Sequence, residues 1–246
     1  MLLRKINHYS ILELLGKGSF GKVYLVESDN RQHYALKSIE DIEEILDAVK
    51  KEADMYASLD HQNIVKLHEF FPYENESCLA IVLEYCPDGD LSKLIGKIDS
   101  DECRRILKQI AGGMVYLHNQ NIIHRDIKPE NILMMDGEPK IADFGSSKIM
   151  MSSGAKTYAG TQFYLAPEVF REEKYDGKAD VWSLGIVSLE LLVGQKISSL
   201  VKGLLAPAVR EDFPSEGLLN EIKDLNLREL VKIMLKKRPD DRLTSK

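Results

Sequence analysis

The hydrophobic pattern of this 246-residue chain changes once, at Pro87-Asp88-Gly89, and that change limits the folds open to it. Before it, residues 9–17, 22–28, 33–39, 64–71 and 79–83 form short runs rich in β-branched, aromatic and other apolar side chains. Gly-Ser and Asp29-Asn30 turn signals separate the first three, so these runs are expected as strands. One helical pattern interrupts them, with Ile42, Ile45, Leu46, Val49, Ala53 and Tyr56 at spacings of three and four. After residue 89 the balance reverses. Residues 104–118, 179–193 and 227–235 carry helical periodicity, and only short strands are expected around 132–134 and 140–142. The expected class is α+β, with five strands and one helix preceding a mainly helical lobe. Clefts between two such lobes are favoured places for ligands.

Composition narrows the function classes. With 44% hydrophobic residues the chain can bury a real core. Its net charge of −6 argues against a nucleic-acid-binding domain, although a small basic site would suffice for a single nucleotide. Cys78, Cys86 and Cys103 are too scattered for a disulfide framework or a zinc site, and are expected as buried, reduced thiols of a cytosolic protein. The apolar stretch 186–193 is short and contains Glu190, whereas a membrane span needs roughly 20 apolar residues. The N-terminal MLLRKINHYS lacks the apolar region of a signal peptide. No repeats and no low-complexity segment are present.

Gly16-Lys17-Gly18-Ser19-Phe20-Gly21-Lys22-Val23 is a glycine-rich loop of the kind that lets backbone N–H groups approach a phosphate. A Walker A loop would need a hydroxyl where Val23 stands. A Rossmann loop would run from a strand into a helix, whereas a strand-like Val-Tyr-Leu-Val run follows here. A strand–loop–strand phosphate lid, G-x-G-x-x-G-x-V, is met in full. Taken alone, the loop also fits a plain glycine-rich hairpin.

Behind the loop come Ala35-Leu36-Lys37, His124-Arg125-Asp126, Asp143-Phe144-Gly145 and Ala166-Pro167-Glu168, and on these motifs nearly the whole chain resembles the protein kinase superfamily, serine/threonine branch. Ala35-Leu36-Lys37 on the third strand looks like the family's lysine strand. Glu52 lies on the helix nine residues before His61-Gln62-Asn63-Ile64-Val65, and the resemblance makes it the partner of Lys37; Glu43 and Glu44 are read as a solvated face. His124-Arg125-Asp126-Ile127-Lys128-Pro129-Glu130-Asn131 resembles the catalytic loop, the most specific signal in the chain. The resemblance implies that Asp126 accepts the proton of the substrate hydroxyl, Lys128 neutralises charge on the transferring γ-phosphoryl group, and Asn131 binds Mg²⁺. In Asp143-Phe144-Gly145, Asp143 would chelate Mg²⁺ and Phe144 would pack under the helix of Glu52. Ala166-Pro167-Glu168 would close the activation segment. Asp180 would accept backbone N–H bonds, and Arg242 would form a buried bidentate pair with Glu168.

The family frame extends to the rest of the site. Leu15, Val23, Ala35, Leu83 and Leu133 would line an adenine pocket beneath the 16–23 loop. The Glu84 carbonyl and the Cys86 amide would meet the adenine edge. Lys128, with Gly160-Thr161 ahead of Ala-Pro-Glu, points to serine and threonine acceptors, and Thr161 would hydrogen-bond Asp126. Thr157 is the expected activating phosphosite, received by Arg125 and modified by an upstream kinase or by the chain itself. Ser152, Ser153 and Tyr158 are lesser candidates. Asp90 and Glu130 would meet basic residues upstream of the target hydroxyl.

The implied protein is a single kinase domain over residues 1–246, with an N-lobe over 1–83, a hinge over 84–89 and a C-lobe over 90–246. It would use ATP and Mg²⁺ on protein substrates in the cytoplasm or nucleus, with no nucleic-acid partner and no membrane segment. An ATP-binding scaffold without transfer is the alternative. Lys37, Glu52, Asp126, Asn131 and Asp143 are all present, however, and such scaffolds commonly lack one of them. A small-molecule kinase is disfavoured by the Gly-Thr and Ala-Pro-Glu segment, which serves peptide docking. Two departures stand out: the chain ends four residues after Arg242, before the further helix usual in such domains, and Ser146 follows Asp-Phe-Gly where an apolar residue is common. The segments resemble several subfamilies, including calcium/calmodulin-dependent-like and NimA-related kinases.

Overall fold

Strands β1 (Lys5–Ile6), β2 (Tyr9–Gly18), β3 (Gly21–Glu27), β4 (His33–Ile39), β5 (Leu67–Tyr73) and β6 (Cys78–Glu84) form one antiparallel sheet in the order β1-β2-β3-β4-β6-β5. The structure, a computed structural model, describes residues 5–18, 21–40, 46–74, 77–143, 161–201, 206–209 and 212–244. The chain divides into two units, Met1–Pro87 and Asp88–Lys246. The sheet and helix α1 (Leu46–Ala57), which packs on β5, belong to the first.

Five of these strands follow from the alternating runs. β1 does not, because two residues are too short to show a period. It turns into β2 through Asn7, whose φ of 52° suits asparagine better than most residues. β5 starts later than its run suggests. Ile64 and Val65 are buried in a turn, with Ile64 N–H bonded to His61 O at 3.0 Å. Pro72 sits in β5, at the sheet's edge, where a missing N–H is tolerated. Ile6, Tyr9, Val26, Leu36, Ala80 and Val82 are buried together. The Tyr9 ring stacks on Phe71 and its hydroxyl donates to Glu69 at 2.5 Å, so burial and that neighbouring charge raise the phenol well above its usual range. At the β2–β3 hairpin, Gly21 has φ 135°, and a Cβ there would fall 1.7 Å from Ser38 O, so only glycine fits.

In the second unit, α2 (Ser100–Asn119) starts on Asp99, whose carboxylate accepts the Glu102 N–H at 2.9 Å. The hairpin β7 (Ile132–Met135) and β8 (Glu138–Ile141) turns at Asp136-Gly137, with φ 53° and 78°, the Asp-Gly chemistry of a tight hairpin. Arg105 ties that turn to α2, donating to Gly137 O at 2.6 Å and to the carboxylates of Glu138 and Glu102 at 2.8 Å. Then follow α3 (Pro167–Phe170), α4 (Lys178–Val193), α5 (Ile197–Leu200), α6 (Glu216–Asn220) and α7 (Leu225–Met234). Apolar residues surround α4 on every side, which is the pattern of a buried helix. Trp182, Ile186, Val187 and Leu189 are fully buried, and α4 packs on both α2 and α7. All three cysteines are buried free thiols, and burial pushes Cys103 up to about 12.

The expected Glu168–Arg242 pair is present. Nη1 and Nη2 of Arg242 reach the two carboxylate oxygens at 2.6 and 2.8 Å, and both residues are buried. The remaining donors bond Lys236 O, Lys237 O and Lys178 O, and the guanidinium lies 5.1 Å from the Trp182 ring centre. Every charge in this pair is therefore compensated. Glu168→Ala leaves a buried guanidinium without its carboxylate and should lower unfolding free energy by about 3–5 kcal/mol. Denaturant titration checks this; a loss under about 1 kcal/mol would mean that the pair adds little.

Candidate active site

The first turn of α4 carries Asp180, whose carboxylate is 1% exposed. Its oxygens accept the backbone N–H of His124 at 2.9 Å and of Arg125 at 2.8 Å, and face His118 Nε2 at 2.8 Å. These bonds hold a strained segment: Arg125 has φ 70°, a left-handed conformation that costs a non-glycine residue about 1–2 kcal/mol. The His124 side chain braces the same segment. One neutral tautomer satisfies both ring nitrogens, with Nε2–H donating to Ala142 O at 3.0 Å and Nδ1 accepting the Asp126 N–H at 3.3 Å.

Asp126, Lys128 and Asn131 converge on this support. Lys128 Nζ donates to Asp126 Oδ2 at 2.7 Å, and Asn131 Nδ2 donates to the same oxygen and to Asp126 O, both at 2.8 Å. A buried carboxylate is thus aimed by an ammonium and an amide. Asn131 O accepts the Ala142 N–H at 2.8 Å, so Asp143, exposed and with φ 58°, follows directly from a residue tied to Asn131. Among the described residues no group of three or more His, Cys, Asp or Glu side chains is placed to hold a metal. A carboxylate and an amide oxygen nevertheless fit Mg²⁺, which is usually held by one or two protein oxygens together with substrate phosphates.

In the first unit, strand register brings the phosphate and adenine candidates onto one face. Gly16 opposes Val23, Val23 opposes Lys37, and Ala35 opposes Leu83. Directly opposed residues share a face, as do Ala35 and Lys37 two apart, so Val23, Ala35, Lys37 and Leu83 line the same side. Gly18 opposes Gly21, and Lys17 opposes Lys22, whose ammonium bonds Glu40 at 2.6 Å. Leu15 is exposed and Cys86 buried, while Glu84 pairs with Lys66 through its N–H (2.8 Å) and its carboxylate (3.2 Å). Leu133 bridges to Asp90, whose carboxylate caps a short turn by accepting the Ser92 N–H at 2.9 Å. Ser19, Phe20, Glu43, Glu44, Phe144, Gly145, Ser146, Ser152, Ser153, Thr157, Tyr158 and Gly160 lie outside the described residues, as do the side chains of Glu52 and Thr161.

Residues 9–246 match the protein kinase domain family. The chain belongs to that family. Among curated relatives, it is 37% identical over 268 residues to the serine/threonine-protein kinase cds1 of Schizosaccharomyces pombe, covering 99% of this chain and 58% of that protein. It is 41% identical to the serine/threonine-protein kinase dst1 of Dictyostelium discoideum, over 97% of this chain and 33% of the relative. Aurora kinase C of Mus musculus is 37% identical, over 77% and 71% of the two chains. The chain thus spans 58% and 33% of the lengths of the first two relatives.

Around residues 124–131 of this kinase domain lie further groups, and sequence reading gave no site role to His118, Tyr175, Glu190 or Lys196 among them. His118, at the end of α2, gives no signal in the sequence that distinguishes it from an ordinary core histidine. The guanidinium of Arg125 lies 5.3 Å from the Tyr175 ring centre, and its buried Nε finds no hydrogen-bond partner among the described residues. Glu190 on α4 is fully buried. It accepts the Tyr164 hydroxyl at 3.1 Å on both oxygens and the Ile197 N–H at 2.6 Å. Burial pushes its carboxyl up to about 7, against the pull of those two donors. Lys196 Nζ stands 3.9 Å from Glu130 Oε1.

A carboxyl whose folded value is raised from 4.5 to about 7 keeps its proton longer in the native state. The native chain therefore binds more protons than the unfolded one between these values, and Glu190's contribution to stability falls as pH rises through that window. Relative to the native sequence, Glu190→Gln should gain stability steadily from pH 4.5 to 7 and then level off. Unfolding titrations at several pH values check it; a difference that stays constant with pH would contradict the raised value.

Proposed function

We propose that this kinase domain transfers the γ-phosphate of ATP to serine and threonine hydroxyls of protein substrates. The observation that carries this reading is the convergence of Lys128 and Asn131 on one oxygen of Asp126. A carboxylate held this way can aim a hydroxyl and take its proton as the oxygen attacks phosphorus and ADP leaves. Lys128, beside the same carboxylate, would offset negative charge on the transferring group. Lys37 would hold the α- and β-phosphates, aided by Glu52, and Thr161 would help seat the acceptor. Asn131 and Asp143 would hold Mg²⁺, which neutralises and orients the phosphates when bound. With both substrates aligned, turnover on the order of 1–100 s⁻¹ is expected once the domain is active.

Two finer readings go with this one. Phosphorylation of Thr157 would order the activation segment through Arg125, so Thr157→Ala should lower activity, and full activity in that variant would refute the idea. Asp90 and Glu130 would favour substrates with basic residues upstream of the acceptor. The activity itself is tested by incubating the purified chain with labelled ATP, Mg²⁺ and a basic protein substrate, beside Asp126→Asn. Label on Ser or Thr is expected from the native chain, with kcat at least about 100-fold lower in the variant. ATP binding without any label from native chain treated with an activating kinase would favour a nucleotide-binding scaffold instead.

A further inference from the structure

Glu130 has a cation beside it already. Lys196 comes from the start of α5, 66 residues further along the chain, and its ammonium lies 3.9 Å from Glu130 Oε1. The backbone at this point is fixed, not adventitious. Ile197, the next residue, donates its N–H to the buried carboxylate of Glu190 at 2.6 Å, and Glu190 is held in turn by the Tyr164 hydroxyl. Glu130 adds to the cost of ionising Glu190, while Lys196 acts on Glu190 in the opposite sense. The Lys196 ammonium therefore serves two acidic neighbours from one anchored position.

We propose that Lys196 is a specificity-determining residue. Its ammonium is a resident counter-ion beside Glu130, in the place an arginine or lysine upstream of the target hydroxyl would take, and it weakens this domain's preference for such substrates. The inference rests on the protein-kinase reading and on Glu130 facing the substrate. An incoming guanidinium must share Glu130 with Lys196 or displace it, and both alternatives bring like charges together. Both side chains of the pair are about half exposed (56% and 46%), so the effect is screened by solvent and modest in size.

The test uses peptides with one acceptor serine and a single arginine moved through the upstream positions, each compared with its alanine counterpart. The readout is the ratio of kcat/KM, arginine peptide over alanine peptide. In Lys196→Ala this ratio should rise about threefold at one position, the size expected for an exposed ion pair. Lys196→Arg should retain the native ratio, and Lys196→Ala combined with Glu130→Gln should lose the gain. Because Debye screening shortens with salt, the gain should shrink at about 0.5 M NaCl. An unchanged ratio in Lys196→Ala at every position overturns the proposal, as does a gain that survives in the double variant. Binding of the same peptides, fluorescein-labelled and with the acceptor serine replaced by alanine, is read in parallel by anisotropy. Failure of the native chain, treated with an activating kinase, to phosphorylate any peptide would remove the transfer reading, while the anisotropy ratios of the same variants would still decide the role of Lys196.

Discussion

One buried carboxylate, Asp180, holds the backbone on which the 124–131 loop depends. Two consecutive N–H groups, from His124 and Arg125, end on its oxygens, and His118 closes the cluster from α2. Backbone donors buried without a partner would each cost about 1–3 kcal/mol, and Arg125 is in addition held at positive φ. The loop keeps this shape because α4 is immobilised by apolar packing on every side. A helix that was merely amphipathic would present Asp180 on a less rigid platform. Hydrophobic burial along α4 thus determines where Asp126 stands.

The buried and half-buried acids of the second unit behave differently because their surroundings differ. Glu168 meets a bidentate guanidinium, and the pair neutralises itself as a structural clamp. Asp126 meets an ammonium and an amide on one oxygen, which fixes the direction of its carboxylate. Glu190 meets neutral donors only, from Tyr164 and Ile197, and burial therefore dominates and raises its carboxyl into the neutral range. Glu130 stays at the surface beside Lys196, where solvent limits the strength of the pair.

The first unit relies on register rather than on charge. Its sheet lines up Val23, Ala35, Lys37 and Leu83, because opposed residues on a pleated sheet must share a face. A slip of one residue would send Lys37 to the other side. Gly21 guards the alignment at the hairpin, since any larger residue would strike Ser38 O.

Much of this was legible in the sequence, for a physical reason. Strand and helix periods are local properties, so the longer strands and the three long helices of the second unit could be read from spacing alone. Motif spacing also carried the Asp180 and Arg242–Glu168 contacts, because those residues stand at fixed offsets within segments that resemble a known family. Other features arose only in three dimensions. β1 is two residues long and exists because β2 offers it an edge. Arg105 clamps the turn at Gly137, His118 reaches Asp180, and Lys196 meets Glu130, pairs separated by 32, 62 and 66 positions that no local pattern relates. The raised carboxyl of Glu190 is likewise invisible in sequence, because desolvation depends on everything packed around a group and not on its chain neighbours. The amino-acid sequence alone determined which groups could do chemistry; tertiary packing decided which of them were buried, and so which carried a proton, a charge or a contact.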